Sequence, residues 1–224
     1  MTDLNALLTR GLDRHKRGEL DAAESDYRDI LAAMPGHPKV TYLLGALKTQ
    51  QGRPEEGLAL LEEARTHLPN DPAVRLHLGN ALKELGRFEE AIAAYDEALA
   101  IDPSYAEALN NKANALAEAG RVPDALLVFD YLVQHWPQNP GFRYNRGSRL
   151  LKLNRFGDAL ADFDSALALM PDLAEAWNNR GTALRGLGRT RDGLASYERA
   201  LQLDPGNPHF IQNRATTLGE LDRA

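Results

Sequence analysis

The chain has 224 residues, of which 43% are hydrophobic and 26% are charged, and its formal net charge is −6. This composition is typical of a folded protein, and the negative charge argues against general nucleic-acid binding, which needs a basic surface. The absence of cysteine excludes disulfides and thiolate metal sites. Because no apolar run is long enough to cross a bilayer and the N-terminus lacks the order of a secretory signal, we expect a cytoplasmic protein without a membrane partner.

Six prolines follow one another along the chain at a constant spacing of 34 residues. A fixed period of this length is typical of a repeat protein in which each unit packs on the next. The period predicts one domain over residues 1–224, made of six full repeats and a final capping helix over 208–221. The prolines are Pro35, Pro69, Pro103, Pro137, Pro171 and Pro205, and the repeats cover 4–37, 38–71, 72–105, 106–139, 140–173 and 174–207.

Each repeat is predicted to form two helices, over its positions 1–14 and 16–31. Position 15 is glycine in every full repeat except one, which has Asn154. Glycine and asparagine both tolerate the left-handed conformation that ends a helix. Asp71, Asn139 and Asn207 each precede a proline and are predicted to cap the next helix.

Small and large residues recur at fixed positions of the repeat. Positions 8 and 20 are glycine or alanine, position 24 is aromatic in all full repeats but one, position 27 is mostly alanine, and position 32 is the proline. This pattern resembles the tetratricopeptide repeat family. The resemblance implies an all-α fold, a right-handed superhelical solenoid of antiparallel helix pairs. It also implies that partners bind the concave surface, which the first helices of the repeats line.

No sequence motif of a catalytic, cofactor or metal site is present, so we expect neither an enzyme nor a cofactor. The six histidines have no pair at the spacing that places two metal ligands on one helix face. They are expected to be solvated or capping side chains, although His77 also falls in the row of candidate binding residues described next.

Asparagine recurs on the face of the first helices that the family uses for binding. It is unfavourable inside a helix because its amide competes for backbone hydrogen bonds, so its repetition suggests a function. A carboxamide can pair with both the carbonyl and the N–H group of a peptide backbone, and can therefore hold an extended peptide irrespective of its side chains. Duplication of an unused residue is the alternative. The candidates are Asn111, Asn145, Asn179 and Asn213 at position 6, Asn110 and Asn178 at position 5, and Asn80 and Asn114 at position 9.

The N-terminal part of the same face is more apolar and carries Leu8, Leu12, Tyr42, Leu43 and Leu76. It is either an apolar anchor zone for a partner or irregular packing at the end of the solenoid. Tyr144 lies within the asparagine series as a candidate stacking residue. Cations and anions balance on this face, and the excess cations, many at position 7, are expected to reach the acidic second helices.

We expect a non-catalytic scaffold that binds a protein or peptide along this row of amides, here called the asparagine ladder. A similar ladder occurs in the repeats of O-linked N-acetylglucosamine transferases, although position 7 departs from the leucine of that family. Because the repeat register stops at Ala224 in mid-repeat, one alternative is a substrate-recruiting arm of a larger, glycosyltransferase-like enzyme. Self-assembly into a homo-oligomer is the other alternative.

Overall fold

A computed structural model of the chain describes residues 3–223, which form thirteen helices and no strand. The predicted all-α fold is confirmed in these residues. They group into two compact units, here called unit 1 (residues 3–121) and unit 2 (residues 122–223). Unit 1 contains α1 (Leu4–Lys16), α2 (Leu20–Ala33), α3 (Pro38–Gln50), α4 (Pro54–His67), α5 (Pro72–Glu84), α6 (Phe88–Ile101) and α7 (Ala106–Glu118). Unit 2 contains α8 (Val122–His135), α9 (Pro140–Lys152), α10 (Phe156–Leu169), α11 (Ala174–Gly186), α12 (Thr190–Leu203) and α13 (Pro208–Leu221).

The turn between the two helices of a repeat is slightly longer than the sequence predicts. In the first repeat, Arg17 caps α1, Gly18 has a φ of 75°, and Glu19 precedes α2. The first helix therefore covers positions 1–13 and the second covers positions 17–30. Asn154 has a φ of 56°, which confirms its predicted role as the left-handed substitute for glycine.

The predicted caps before proline are also confirmed. The side chain of Asp71 accepts a hydrogen bond from the backbone N–H of Ala73 at 2.9 Å. Asn139 and Asn207 make the equivalent bonds at the starts of α9 and α13. Each bond satisfies a backbone N–H group that has no partner inside its own helix, while proline supplies a backbone already suited to the first turn.

The two helices of a repeat meet through a small residue and an aromatic ring. A Cβ atom on Gly79 would lie 2.5 Å from Cε1 of Tyr95, and one on Gly181 would lie 2.7 Å from Cε1 of Tyr197. Both tyrosine rings are fully buried. The absence of a Cβ atom at these two glycines permits this close approach, which explains why a small residue at position 8 accompanies a large residue at position 24.

Adjacent repeats also bring their first helices together, which creates the surface on which the candidate residues lie. Within unit 1, α3 contacts α5 and α5 contacts α7. Within unit 2, α9 contacts α11 and α11 contacts α13. Side chains at positions 5, 6 and 9 of neighbouring first helices can therefore reach one another.

Candidate functional site

In unit 1 the amides of α5 and α7 form one hydrogen-bonded group. Asn80 Oδ1 accepts from Asn111 Nδ2 at 2.9 Å and from the hydroxyl of Tyr95 at 2.8 Å. Asn110 Nδ2 donates to Asn111 Oδ1 at 3.2 Å. Asn114 lies one turn further along α7 and is partly buried. The ladder residues of unit 1 are thus held in place by bonds between neighbouring first helices.

Unit 2 repeats this arrangement with a different set of partners. Asn213 Nδ2 donates to Asn178 Oδ1 at 2.8 Å, and Asn178 Nδ2 donates to Asn179 Oδ1 at 3.2 Å. Asn179 Nδ2 reaches Tyr144 Oη and Ser148 Oγ at 3.5 Å each. Asn178 is buried, and the partly buried Asn145 lies beside Tyr144 on α9.

These bonds give the repeated asparagines a structural use that the sequence analysis did not foresee. An amide at position 6 donates to a side chain at position 9 or 5 of the preceding first helix. A carboxamide has two donor hydrogens and two acceptor lone pairs, so these contacts do not exhaust it. Within the described residues, Asn80 Nδ2 donates no bond and Asn213 Oδ1 accepts none.

The apolar part of the face forms a groove of about 580 Å³ in unit 1, here called the unit-1 groove. The predicted residues Tyr42, Leu43 and His77 line it together with Asn80 and Asn111. Leu43 is only 8% exposed, so it contributes to the floor of the groove. The rings of Tyr42 and His77 are tilted against each other with centroids 5.4 Å apart.

The titratable side chains of the groove carry little net charge. Burial, and then the proximity of His15, lower the pKa of His77, which favours the neutral imidazole. Burial likewise raises the pKa of Tyr42. Lys83 and Glu84 pair at 3.3 Å between Nζ and Oε1, so their charges offset each other.

The groove also contains a residue that the sequence analysis assigned to solvent. His15 Nε2 is 2.8 Å from Gln50 Oε1, and His15 Nδ1 is 3.4 Å from the hydroxyl of Tyr27. His15 occupies position 12 of the first repeat, a position on the binding face. The repeat position of His15 could have placed it on the binding face from the sequence alone. It was instead assigned to solvent because the histidines lack the spacing of metal ligands.

The cations at position 7 do not belong to the groove or to the ladder. Arg146 donates to Asp162 at 2.6 Å and to Asp130 at 2.8 Å, both on second helices. Lys112 pairs with Asp96 at 2.5 Å, an arrangement of the same kind. The expectation that these cations reach acidic second helices is therefore confirmed, and it explains why leucine is not needed at position 7.

Two other kinds of site are absent from the part of the chain that the structure describes. Over residues 3–223, no three histidine or carboxylate side chains come together as metal ligands. None of the helices in that part of the chain is both long and apolar enough to cross a membrane.

Comparison with known families decides what kind of repeat this is. Two family models described as tetratricopeptide repeat match the chain, one over residues 76–140 and 144–208 and the other over 15–77 and 48–97. The chain belongs to the tetratricopeptide repeat family. No curated protein matches it. Proteins of this family bind protein or peptide partners, and the chain is accordingly a protein-interaction scaffold.

Solved tetratricopeptide repeat structures share the fold at low sequence identity. PilW, a widely conserved type IV pilus biogenesis factor, is 17% identical with a TM-score of 0.84, covering 95% of this chain and 98% of that chain. PilF of Pseudomonas aeruginosa is 17% identical with a TM-score of 0.78, covering 95% and 97%. YrrB, a repeat protein with an unusual peptide-binding site, is 15% identical with a TM-score of 0.63, covering 84% and 97%.

Proposed function

We propose that this scaffold binds an extended peptide by its backbone, through the carboxamides of the first helices. The observation that carries the proposal is that several of these amides are oriented by bonds to neighbouring helices, and that two of them keep unused hydrogen-bonding groups. Asn80 in unit 1 keeps both Nδ2 hydrogens, and Asn213 in unit 2 keeps its Oδ1 acceptor. Fixed side chains lose less rotational freedom when a ligand binds, so each bond contributes more of its energy to affinity.

The spacing of the helices suits an extended ligand. Packed helices lie about 8–10 Å apart and an extended peptide rises about 3.3 Å per residue, so one amide per first helix would meet roughly every third residue. Backbone recognition of this kind is indifferent to peptide sequence. Each amide at position 6 would contribute about 0.5–1.5 kcal/mol per bond, so the few amides of one unit would contribute only a few kcal/mol in total.

Micromolar affinity requires about 8 kcal/mol, so the ladder needs a second source of binding energy. The unit-1 groove supplies it, because it adds apolar surface from Tyr42 and Leu43 next to Asn80 and Asn111. We therefore assign general retention of the peptide to the amides and selection among peptides to the groove. In this proposal every residue contributes to binding and none catalyses a reaction.

A displayed library of random dodecapeptides tests the proposal directly. Selected peptides, labelled with fluorescein, would be titrated with the protein and with variants, using fluorescence anisotropy. We expect Asn111→Ala and the double variant Asn179→Ala/Asn213→Ala to weaken binding by about 2- to 12-fold per lost bond. Peptides with N-methylated backbone amides should bind more weakly than their unmethylated forms.

Stability controls separate binding from folding. Asn111→Ala removes its hydrogen bonds with Asn80 and Asn110 but gains helix propensity, so we expect the free energy of unfolding to fall by no more than about 2 kcal/mol. Gln134→Ala is the matched control, because it removes an exposed amide from the second helix α8. Failure of the library to yield any binder, or equal affinity of all these variants, would refute backbone binding by the ladder.

A further inference from the structure

The unit-1 groove contains the imidazole of His77, which the ladder does not use, and the amide of Asn80, whose two free hydrogens are one more than a single backbone carbonyl would take. No described residue hydrogen-bonds with the imidazole of His77, whose ring lies against the ring of Tyr42. Asn80 Oδ1 is occupied by Tyr95 and Asn111, while Asn80 Nδ2 stays without an acceptor among the described residues. The groove thus presents an aromatic face, an imidazole and an amide donor on the same lining.

The shape and the charge of the groove limit what can fill it. Its volume of about 580 Å³ lies within the about 300–1,000 Å³ that is typical of ligand pockets. Tyr42, Leu43 and Ala46 form an apolar wall that favours a ring over a small polar side chain. A carboxylate would find no unpaired cation, because Lys83 is already paired with Glu84.

We propose that the unit-1 groove is a specificity pocket for a tyrosine side chain of the bound peptide, an inference that rests on the proposed function. The ring packs against Tyr42 and Leu43, and the phenol hydroxyl exchanges hydrogen bonds with His77 and Asn80. Phenylalanine fills the same space but leaves the imidazole and the Asn80 donor without partners, which disfavours it. The groove is therefore selective for the hydroxyl as well as for the ring.

The preference for tyrosine over phenylalanine can be measured with two small amino acid amides, without knowledge of the natural partner. The intact ¹⁵N-labelled protein is titrated with N-acetyl-L-tyrosinamide and, as the matched control, with N-acetyl-L-phenylalaninamide. We expect saturable NMR shifts at groove residues such as Ala46 and Gly52, with the tyrosine amide binding about 2- to 12-fold more tightly, the worth of one net hydrogen bond. Equal dissociation constants, or no saturable shift up to tens of millimolar probe, would overturn the inference.

Substitutions assign the selectivity to named side chains. His77→Phe keeps a ring against Tyr42 and removes both nitrogens, so the tyrosine amide should keep only the part of its advantage over the phenylalanine amide that Asn80 provides. Tyr42→Leu removes the aromatic face and should weaken both amides. Asn179→Ala in unit 2 is the control and should leave both dissociation constants unchanged. If His77→Phe fails to fold, the comparison of the two amides on the unaltered protein still decides the matter.

The library selection distinguishes failure of this inference from failure of the proposed function. Binding peptides that share a tyrosine, and that lose affinity when it becomes phenylalanine, would support the tyrosine pocket. Binding peptides that depend on the ladder amides but show no preference for tyrosine would overturn the pocket and leave backbone binding intact.

Discussion

Gly79 is the position where one added carbon has the clearest expected effect. Its Cβ would lie 2.5 Å from the fully buried ring of Tyr95, whose hydroxyl also holds Asn80 in the ladder. Because neither α5 nor the ring can move freely, we expect Gly79→Ala to lower the free energy of unfolding by about 1–3 kcal/mol. Urea denaturation followed by circular dichroism measures this change.

Gly157 provides the matched control for that substitution. It is exposed in the first turn of α10, and a Cβ there would meet nothing within 4 Å. Alanine has a higher helix propensity, so Gly157→Ala should leave stability unchanged or raise it by up to about 1 kcal/mol. Similar losses for the two variants would contradict the role assigned to close packing at position 8.

Single residues also separate what the sequence could predict from what it could not. Asn154 was identifiable as a left-handed residue because the reason is local: only glycine and asparagine adopt that conformation readily. The bond between Asn111 and Asn80 was not predictable, because it depends on the offset between α5 and α7 rather than on either helix alone. The candidate amides were therefore located from the sequence, whereas their mutual contacts were not.

At the scale of the elements, a buried ion pair between two helices is expected to stabilise the fold more than an exposed ion pair at the start of one helix. Asp162 on α10 is buried and binds Arg146 of α9 through two nitrogen atoms, at 2.6 and 2.7 Å. Removal of the Asp162 carboxylate leaves the partly buried guanidinium of Arg146 paired with Asp130 alone. We therefore expect Asp162→Ala to lower the free energy of unfolding by about 2–4 kcal/mol. Asp158→Ala removes an exposed ion pair with Arg155 and should lower the free energy of unfolding by less than about 1 kcal/mol. Thermal and urea unfolding of both variants would show the ordering, and a reversed ordering would disprove it.

A second pair, between α2 and α3, makes stability depend on pH. Burial raises the pKa of Glu24, but bonds from Lys48, Arg28 and Gln51 outweigh that effect and bring the pKa to about 2. The Lys48 ammonium lies 2.5 Å from Glu24 Oε1 and its side chain is 1% exposed. Since the folded pKa is below the unfolded one, the stabilisation is complete above about pH 4.5 and is lost as the pH falls through about 2.

Glu24→Gln is the variant that isolates this contribution. At neutral pH, the wild-type protein should be more stable by up to about 3 kcal/mol, as a pKa shift of this size implies. The difference in urea unfolding free energy between the two proteins should shrink steadily from pH 4.5 to pH 2. A difference that stays constant over this interval would show that Glu24 does not titrate as described.

For the whole molecule, the fold was predictable because it is specified many times over. The 34-residue period, the small residue at position 8 and the turn at position 15 act within one repeat or between neighbours, so each copy supports the same assignment. The unit-1 groove appears only when α1, α3, α5 and α7 contribute side chains together. Its composition, including His15, therefore became evident only from the structure, although every lining residue except Gly52 of the turn after α3 lies on the face that the repeat pattern indicates.

This locality leads to a prediction about unit 1 by itself. It contains three full repeats followed by α7, a first helix that packs on α6 just as α13 packs on α12 in unit 2. Because stability in such proteins is a sum of repeat and nearest-neighbour terms, a fragment of residues 1–121 should fold without the rest. It should show helical circular dichroism and one cooperative urea transition.

Since every residue that lines the unit-1 groove lies in this segment, the fragment's dissociation constant for N-acetyl-L-tyrosinamide should match that of the intact protein. A fragment that folds cooperatively but binds the probe much more weakly would mean that the groove depends on residues beyond unit 1.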